Sequence, residues 1–190
     1  MSLNSPVDGC TSHNDIFYFY GFIDLGVYGL SKGGDISLAI AAFLPQVKSI
    51  VWANGSAACY IGDTTYRNSV FPSIGFHPER VLDLADGTRS LINCTGKVEE
   101  QSVYPYEKSK TNMLFIVGTD DLFVCSNEHA DLIKKRLDSV NKSNYEIALY
   151  EGLGHLLNAP FTPPMTTSPS PFVKGMINYG GNDIIKHSSQ

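Results

Sequence analysis

Ser31, His155 and one aspartate of the pair Asp120-Asp121 are the residue types that together break an ester or thioester. A serine hydroxyl attacks a carbonyl only when its oxygen stands clear of the backbone, beside a base that takes its proton. Gly29-Leu30-Ser31-Lys32-Gly33 has the G-x-S-x-G spacing that achieves this, a sharp turn from a strand into a helix with the serine at its apex. Glycines flanking the serine let strand and helix approach closely. The helix start aims free N–H groups at the place where an oxyanion would form. His155 would take the Ser31 proton and later return it to the leaving group. An aspartate would accept the other imidazole N–H, fixing the tautomer and stabilising the imidazolium. The backbone N–H of Lys32, next after the nucleophile, would supply half of an oxyanion hole. Adjacent residues cannot both point at the histidine, so one of Asp120 and Asp121 is a turn former after Gly118.

Each of these residues follows an apolar segment that can position it. Residues 26–30 read as a short strand before Ser31, and Ile36-Ser-Leu-Ala-Ile-Ala-Ala-Phe-Leu44 as an apolar helix that Pro45 ends. Ser49-Ile-Val-Trp-Ala53 is a buried strand closed by the turn signal Asn54-Gly55, and strand, helix and strand within about thirty residues make a parallel βαβ unit. Residues 56–108, with scattered Gly, Pro and Asp, form a long excursion over one end of the sheet; Val81-Leu-Asp-Leu84 and Asp86-Gly87 suggest a hairpin within it. Asn112-Met-Leu-Phe-Ile-Val117 is a strand running into Asp120-Asp121. Ser126 or Asn127 then caps a helix with apolar positions Ala130, Ile133, Leu137 and Val140. His129 lies off that stripe and is expected in solvent, and Cys125 is expected to serve packing. Tyr145-Glu-Ile-Ala-Leu-Tyr150 is the last strand, ending at Gly152-Leu-Gly-His155, and the Pro-, Ser- and Thr-rich residues 159–171 are loop. Three strand ends carrying serine, acid and histidine in that order are the α/β-hydrolase sequence of nucleophile, acid and base. Sites on open α/β sheets form at such carboxyl ends. The fold class is thus α/β, a three-layer α/β-hydrolase-like sandwich with a mainly parallel sheet, incomplete at the N-terminus and at the C-terminus.

Composition narrows the function further. A net charge of −5, with no basic run longer than Lys134-Lys-Arg136, argues against nucleic acid as a partner. The apolar run Ile16–Ile23 is too short to span a bilayer and has no basic flank, so neither a membrane span nor a leader is expected. Cys10, Cys59, Cys94 and Cys125 show no metal-ligand spacing and read as reduced thiols of a cytoplasmic chain, with mitochondrion and peroxisome left open. The sequons at Asn54, Asn93 and Asn141 are then accidental. No metal or redox cofactor is implied. The Lys32 side chain is either simply exposed or meets an anionic substrate.

Gly29-Leu-Ser-Lys-Gly-Gly-Asp35, Val51-Trp-Ala-Asn-Gly-Ser56, Phe71-Pro-Ser-Ile-Gly75, Phe115-Ile-Val-Gly-Thr-Asp-Asp121, Tyr150-Glu-Gly-Leu-Gly-His155 and Tyr179-Gly-Gly181 together resemble the C-terminal α/β-hydrolase domain of the acyl-CoA thioesterases and bile acid-CoA:amino acid N-acyltransferases. The resemblance covers about residues 25–187 and leaves 1–24 as a divergent N-terminal segment, so that 25–190 is a partial hydrolase domain. It implies Ser31 as nucleophile, Asp121 as acid, His155 as base, and a fatty acyl-CoA substrate converted to free acid and CoA. Serine at the elbow resembles the hydrolases of the family, whereas the amino-acid conjugating transferase carries cysteine there. The family's second oxyanion-hole donor lies on a loop well upstream of the nucleophile, and only about 25 residues precede the elbow strand here. Asn158-Ala159 also departs from the family pattern, and a closing C-terminal helix is cut short. The alternatives are transfer of the acyl group to an amino acid, and an inactive, truncated member of the family.

Overall fold

Leu25–Leu30 forms β1 and Lys32–Phe43 forms α1, which begins directly after Ser31 rather than at Ile36. The helix closes where the Leu44 N–H bonds the Ile40 carbonyl, one residue before Pro45. The computed structural model describes residues 24–157, 165–170 and 172–181. The aromatic run 16–23, the Asn158-Ala159 departure and the chain end where a closing helix is expected to be cut short lie outside them.

Val47–Ala53 is β2. Four short strands follow as two hairpins, β3 (Thr64–Tyr66) with β4 (Ser69–Phe71) and β5 (Leu82–Asp83) with β6 (Arg89–Ser90). The second is the hairpin expected around Asp86-Gly87; the first carries no sequence signal strong enough to announce it. Asn112–Gly118 is β7, Ser126–Ser139 is α2 and Tyr145–Tyr150 is β8. Thr167–Pro169 (β9) pairs antiparallel with Met176–Asn178 (β10). Residues 159–171 are therefore not all loop: three of them find a partner strand that local composition does not reveal.

The main sheet has the order β1-β2-β7-β8, all parallel, as the βαβ pattern requires. Its register runs Gly29–Trp52–Phe115–Ile147 across the four strands. Every connection steps across the sheet in the same direction, so right-handed crossovers bring all of them to one face. The core agrees: Leu38 and Ala41 of α1 and Ala130, Ile133 and Leu137 of α2 share one apolar cluster with Ile50, Trp52, Met113 and Phe115. Of the two layers that flank the sheet in a three-layer stack, the described helices supply one. Val140, expected on the α2 stripe, is instead half-exposed at the helix end.

A small second sheet, β5-β6-β10-β9, lies over the carboxyl end of the first. Leu91 N–H and Ser90 Oγ–H both bond the Leu122 carbonyl, and His155 N–H bonds the Tyr179 carbonyl at 2.7 Å. The excursion and the tail thus pack against the loops that follow β7 and β8.

Candidate active site

Ser31 has φ 58° and ψ −120°, a left-handed conformation that a residue bearing Cβ adopts at a cost of about 1–3 kcal/mol. Two bonds hold it there. Its N–H donates to the Ala53 carbonyl at 2.9 Å, and its carbonyl accepts the Gly34 N–H at 2.9 Å. Gly29 makes the turn possible, since a Cβ there would lie 2.0 Å from the Gly33 carbonyl oxygen. Gly33 plays no such part, because a Cβ on it meets nothing.

His155 is 2% exposed at the end of the β8 loop. Its Nε2 lies 2.8 Å from Ser31 Oγ and its Nδ1 2.9 Å from Asp121 Oδ2. A carboxylate only accepts, so Nδ1 carries the proton and Nε2 is left to accept from the serine. The ring stacks on Phe123 at 4.6 Å between centroids and lies parallel to the Tyr179 ring at 6.1 Å, with Tyr179 stacked on Phe123 in turn. Its rotation is thereby fixed from the side as well as from both nitrogens.

Asp121 is also buried, and four donors converge on its carboxylate. Oδ1 accepts the N–H groups of Phe123 (2.8 Å) and Val124 (3.0 Å). Oδ2 accepts the hydroxyl of Ser126 together with the His155 imidazole. These bonds fix the carboxylate's orientation toward the imidazole. The choice between adjacent aspartates is made by these partners: Asp120 Oδ2 turns the other way and accepts the Gly181 N–H at 2.6 Å. The Ser126 hydroxyl does not cap α2. Cys125 occupies the N-cap position without a side-chain bond to the helix, and Ser126 is the first helical residue.

Lys32 is the first residue of α1, so its N–H has no partner within the helix and lies next to the Ser31 oxygen along the chain. Its ammonium is committed to Asp35 at 2.8 Å. Cys125 is half-buried, its thiol donates to the Ile92 carbonyl, and burial pushes its pKa up to about 11, which suits a packing role.

Asn54 is the residue that sequence reasoning undervalued. It follows β2, is fully buried and has φ 43°. Its Oδ1 accepts the Gly118 N–H at 2.7 Å, and its Nδ2 donates to the carbonyls of Gly154 (2.9 Å) and His155 (3.0 Å). One side chain therefore ties the β7 loop, which carries the acid, to the β8 loop, which carries the imidazole. A sequon asparagine in this position is closed to glycosylation. His129 is the other correction: it is 4% exposed rather than solvated. Its Nδ1 accepts the Ala57 N–H at 3.3 Å, and burial pushes its pKa down to about 4. Residues 56–60 fold back over α2, which a helical wheel cannot show.

The residues singled out by type and spacing thus meet at one rim of the sheet, each delivered by a strand end. Residues 22–190 match the family model described as BAAT / Acyl-CoA thioester hydrolase C terminal. Acyl-coenzyme A thioesterase 3 of Mus musculus is 32% identical over 161 residues, which cover 83% of this chain and 37% of that protein. Peroxisomal succinyl-coenzyme A thioesterase of Mus musculus is 30% identical over 169 residues, covering 87% of this chain and 40% of that protein. Among solved structures, a carboxylesterase structure from Nitrososphaera gargenis aligns with a TM-score of 0.41 at 18% identity, over 75% of this chain and 61% of that one. The chain spans less than half the length of these curated relatives. The family match covers the whole site, and on it the chain belongs to the BAAT / acyl-CoA thioester hydrolase C-terminal family.

Proposed function

We propose that this domain hydrolyses acyl-CoA thioesters to free acid and CoA, with Ser31 as nucleophile, His155 as general base and acid, and Asp121 as the group that orients and stabilises the imidazolium. The observation that carries the reading is the continuous relay from Ser31 Oγ to His155 Nε2 at 2.8 Å and from His155 Nδ1 to Asp121 Oδ2 at 2.9 Å. Membership of a family whose description includes acyl-CoA thioester hydrolases supports the substrate class.

Ser31 Oγ attacks the thioester carbonyl carbon while its proton passes to His155 Nε2. The carbonyl π electrons move onto oxygen, which accepts the Lys32 N–H. Collapse of the tetrahedral adduct breaks the C–S bond, and the CoA sulfur leaves as a thiol with the proton from Nε2. Water then attacks the Ser31 ester, giving its proton to Nε2, which returns it to Ser31 Oγ as the acid departs. Nδ1–H stays bonded to Asp121 throughout, so the charge on the imidazolium is balanced while it exists.

A serine-directed fluorophosphonate tests the nucleophile and palmitoyl-CoA the substrate. The chain labels and Ser31→Ala does not; palmitoyl-CoA releases free CoA, and added glycine or taurine does not divert the acyl group into an amide. Equal labelling of both proteins removes the reading, and amide formation replaces water with an amine as acceptor.

A further inference from the structure

The fold buries a carboxylate one helical turn from Ser31. Asp35 is fully buried in α1. Its Oδ2 accepts the Lys32 ammonium at 2.8 Å and the Tyr60 N–H at 3.0 Å, and among the described residues Oδ1 has no hydrogen-bond partner. Burial raises its pKa to about 6, against the pull of Lys32 and the Tyr60 N–H, so at neutral pH it is ionised with one oxygen unsatisfied. Stability does not account for such a group. The carboxylate is buried while the Lys32 side chain is 37% exposed, so the pairing offsets only part of the cost of desolvating Asp35, and an unpaired oxygen adds to that cost.

What the carboxylate does is geometric. Lys32 carries the backbone N–H beside the nucleophile. Tyr60 lies on the 54–60 segment that leaves β2, the same segment whose Asn54 holds the acid and imidazole loops. Helix and segment approach closely beside the Trp52 indole, since a Cβ on Gly34 would lie 3.0 Å from the Gly55 Cα and 3.1 Å from the indole. A contact of that kind sets a distance of approach but supplies no directional bond. Asp35 supplies that bond by accepting the Tyr60 N–H, while its bond to Lys32, within the first turn of α1, holds the carboxylate in place to do so.

We propose that Asp35 is a positioning residue: through Lys32 and the Tyr60 N–H it locks the first turn of α1 against the 54–60 segment, so that the Lys32 N–H meets the oxygen that becomes negative. The inference rests on Ser31 being the nucleophile. It assigns the Lys32 side chain a part in holding the elbow rather than in meeting substrate.

Fluorophosphonate inactivation kinetics test it without requiring thioester turnover, since the phosphoryl oxygen occupies the same hole. In Asp35→Asn, kinact falls about 10- to 100-fold with KI held within about twofold, the size of effect that a misaimed donor produces. Lys32→Met moves kinact in the same direction and Lys32→Arg restores most of it, the backbone N–H being present in both. Cooperative urea unfolding identifies which variants are folded; if Asp35→Asn is not, the Lys32 pair decides. If the chain itself labels no faster than Ser31→Ala, the nucleophile reading fails and the positioning role fails with it. If the chain labels at Ser31 but the folded variants keep its kinact, or change only KI, the positioning role is overturned while the nucleophile stands.

Discussion

His129→Gln and Asp35→Asn are expected to change the acid stability of this chain in opposite directions. His129 sits 4% exposed, and burial holds its pKa near 4 against the ordinary 6.5, the negative charge of Asp121 only partly opposing the shift. An unfolded chain binds a proton at this histidine below pH 6.5, whereas the folded chain resists until about pH 4. Its contribution to stability is therefore present above pH 6.5 and is lost as pH falls toward 4. The displacement is worth about 3 kcal/mol. Asp35 has the opposite sign. Its folded pKa is raised to about 6 from 3.8, so the folded chain takes up this proton first and gains stability as pH falls through the same interval, also by about 3 kcal/mol. In the native chain the two offset each other; in the variants they do not. The assay is urea unfolding at pH 7, 6, 5 and 4, read as the difference between each variant and the native chain so that the surface carboxylates cancel. The cost of His129→Gln at pH 7 shrinks by about 3 kcal/mol by pH 4, while Asp35→Asn falls behind the native chain by about the same amount. Differences that do not vary with pH refute the reasoning, because they mean that neither group titrates differently in the folded and unfolded chains.

Two further substitutions probe the loops that meet at the site. Asn54→Ala leaves the Gly118 N–H and the Gly154 and His155 carbonyls without their partner; denaturant unfolding should show a loss of about 3 kcal/mol, and Ser31 labelling should slow by more than the small change in folded fraction explains. Gly180→Ala places a Cβ 1.6 Å from the Asp120 carbonyl oxygen at a φ of 78°, and no side chain gives way there; the tail should detach from the acid loop, read as rapid hydrogen exchange at the Gly181 and His155 N–H groups.

Much of this molecule was legible because its signals are local. The strand, elbow and helix around Ser31 lie within about twenty residues, and Gly29 is needed by the turn it belongs to. The apolar runs 112–117 and 145–150 announce β7 and β8, and parallel pairing follows from the helices between strands. Choosing between Asp120 and Asp121 was not a local matter. Both suit a turn, and what separates them is that one meets the imidazole 34 residues on while the other meets a backbone N–H 61 residues on. Asn54 looked like half of a turn signal because its partners lie 64, 100 and 101 residues away. His129 looked solvated because periodicity sees only the helix, and the segment that buries it comes from 72 residues earlier. The β9 strand escaped for the same reason: three residues ending in proline have no propensity of their own, and only pairing with β10 makes them a strand.

The most direct measurement is the mass of the protein itself, taken after rapid mixing with palmitoyl-CoA and acid quenching. A Ser31 nucleophile predicts a transient increase equal to one palmitoyl group, found by digestion on the peptide that contains Ser31, decaying as free acid appears and missing in Ser31→Ala. CoA released at an undiminished rate by Ser31→Ala, or an acyl group recovered on any other residue, would contradict it.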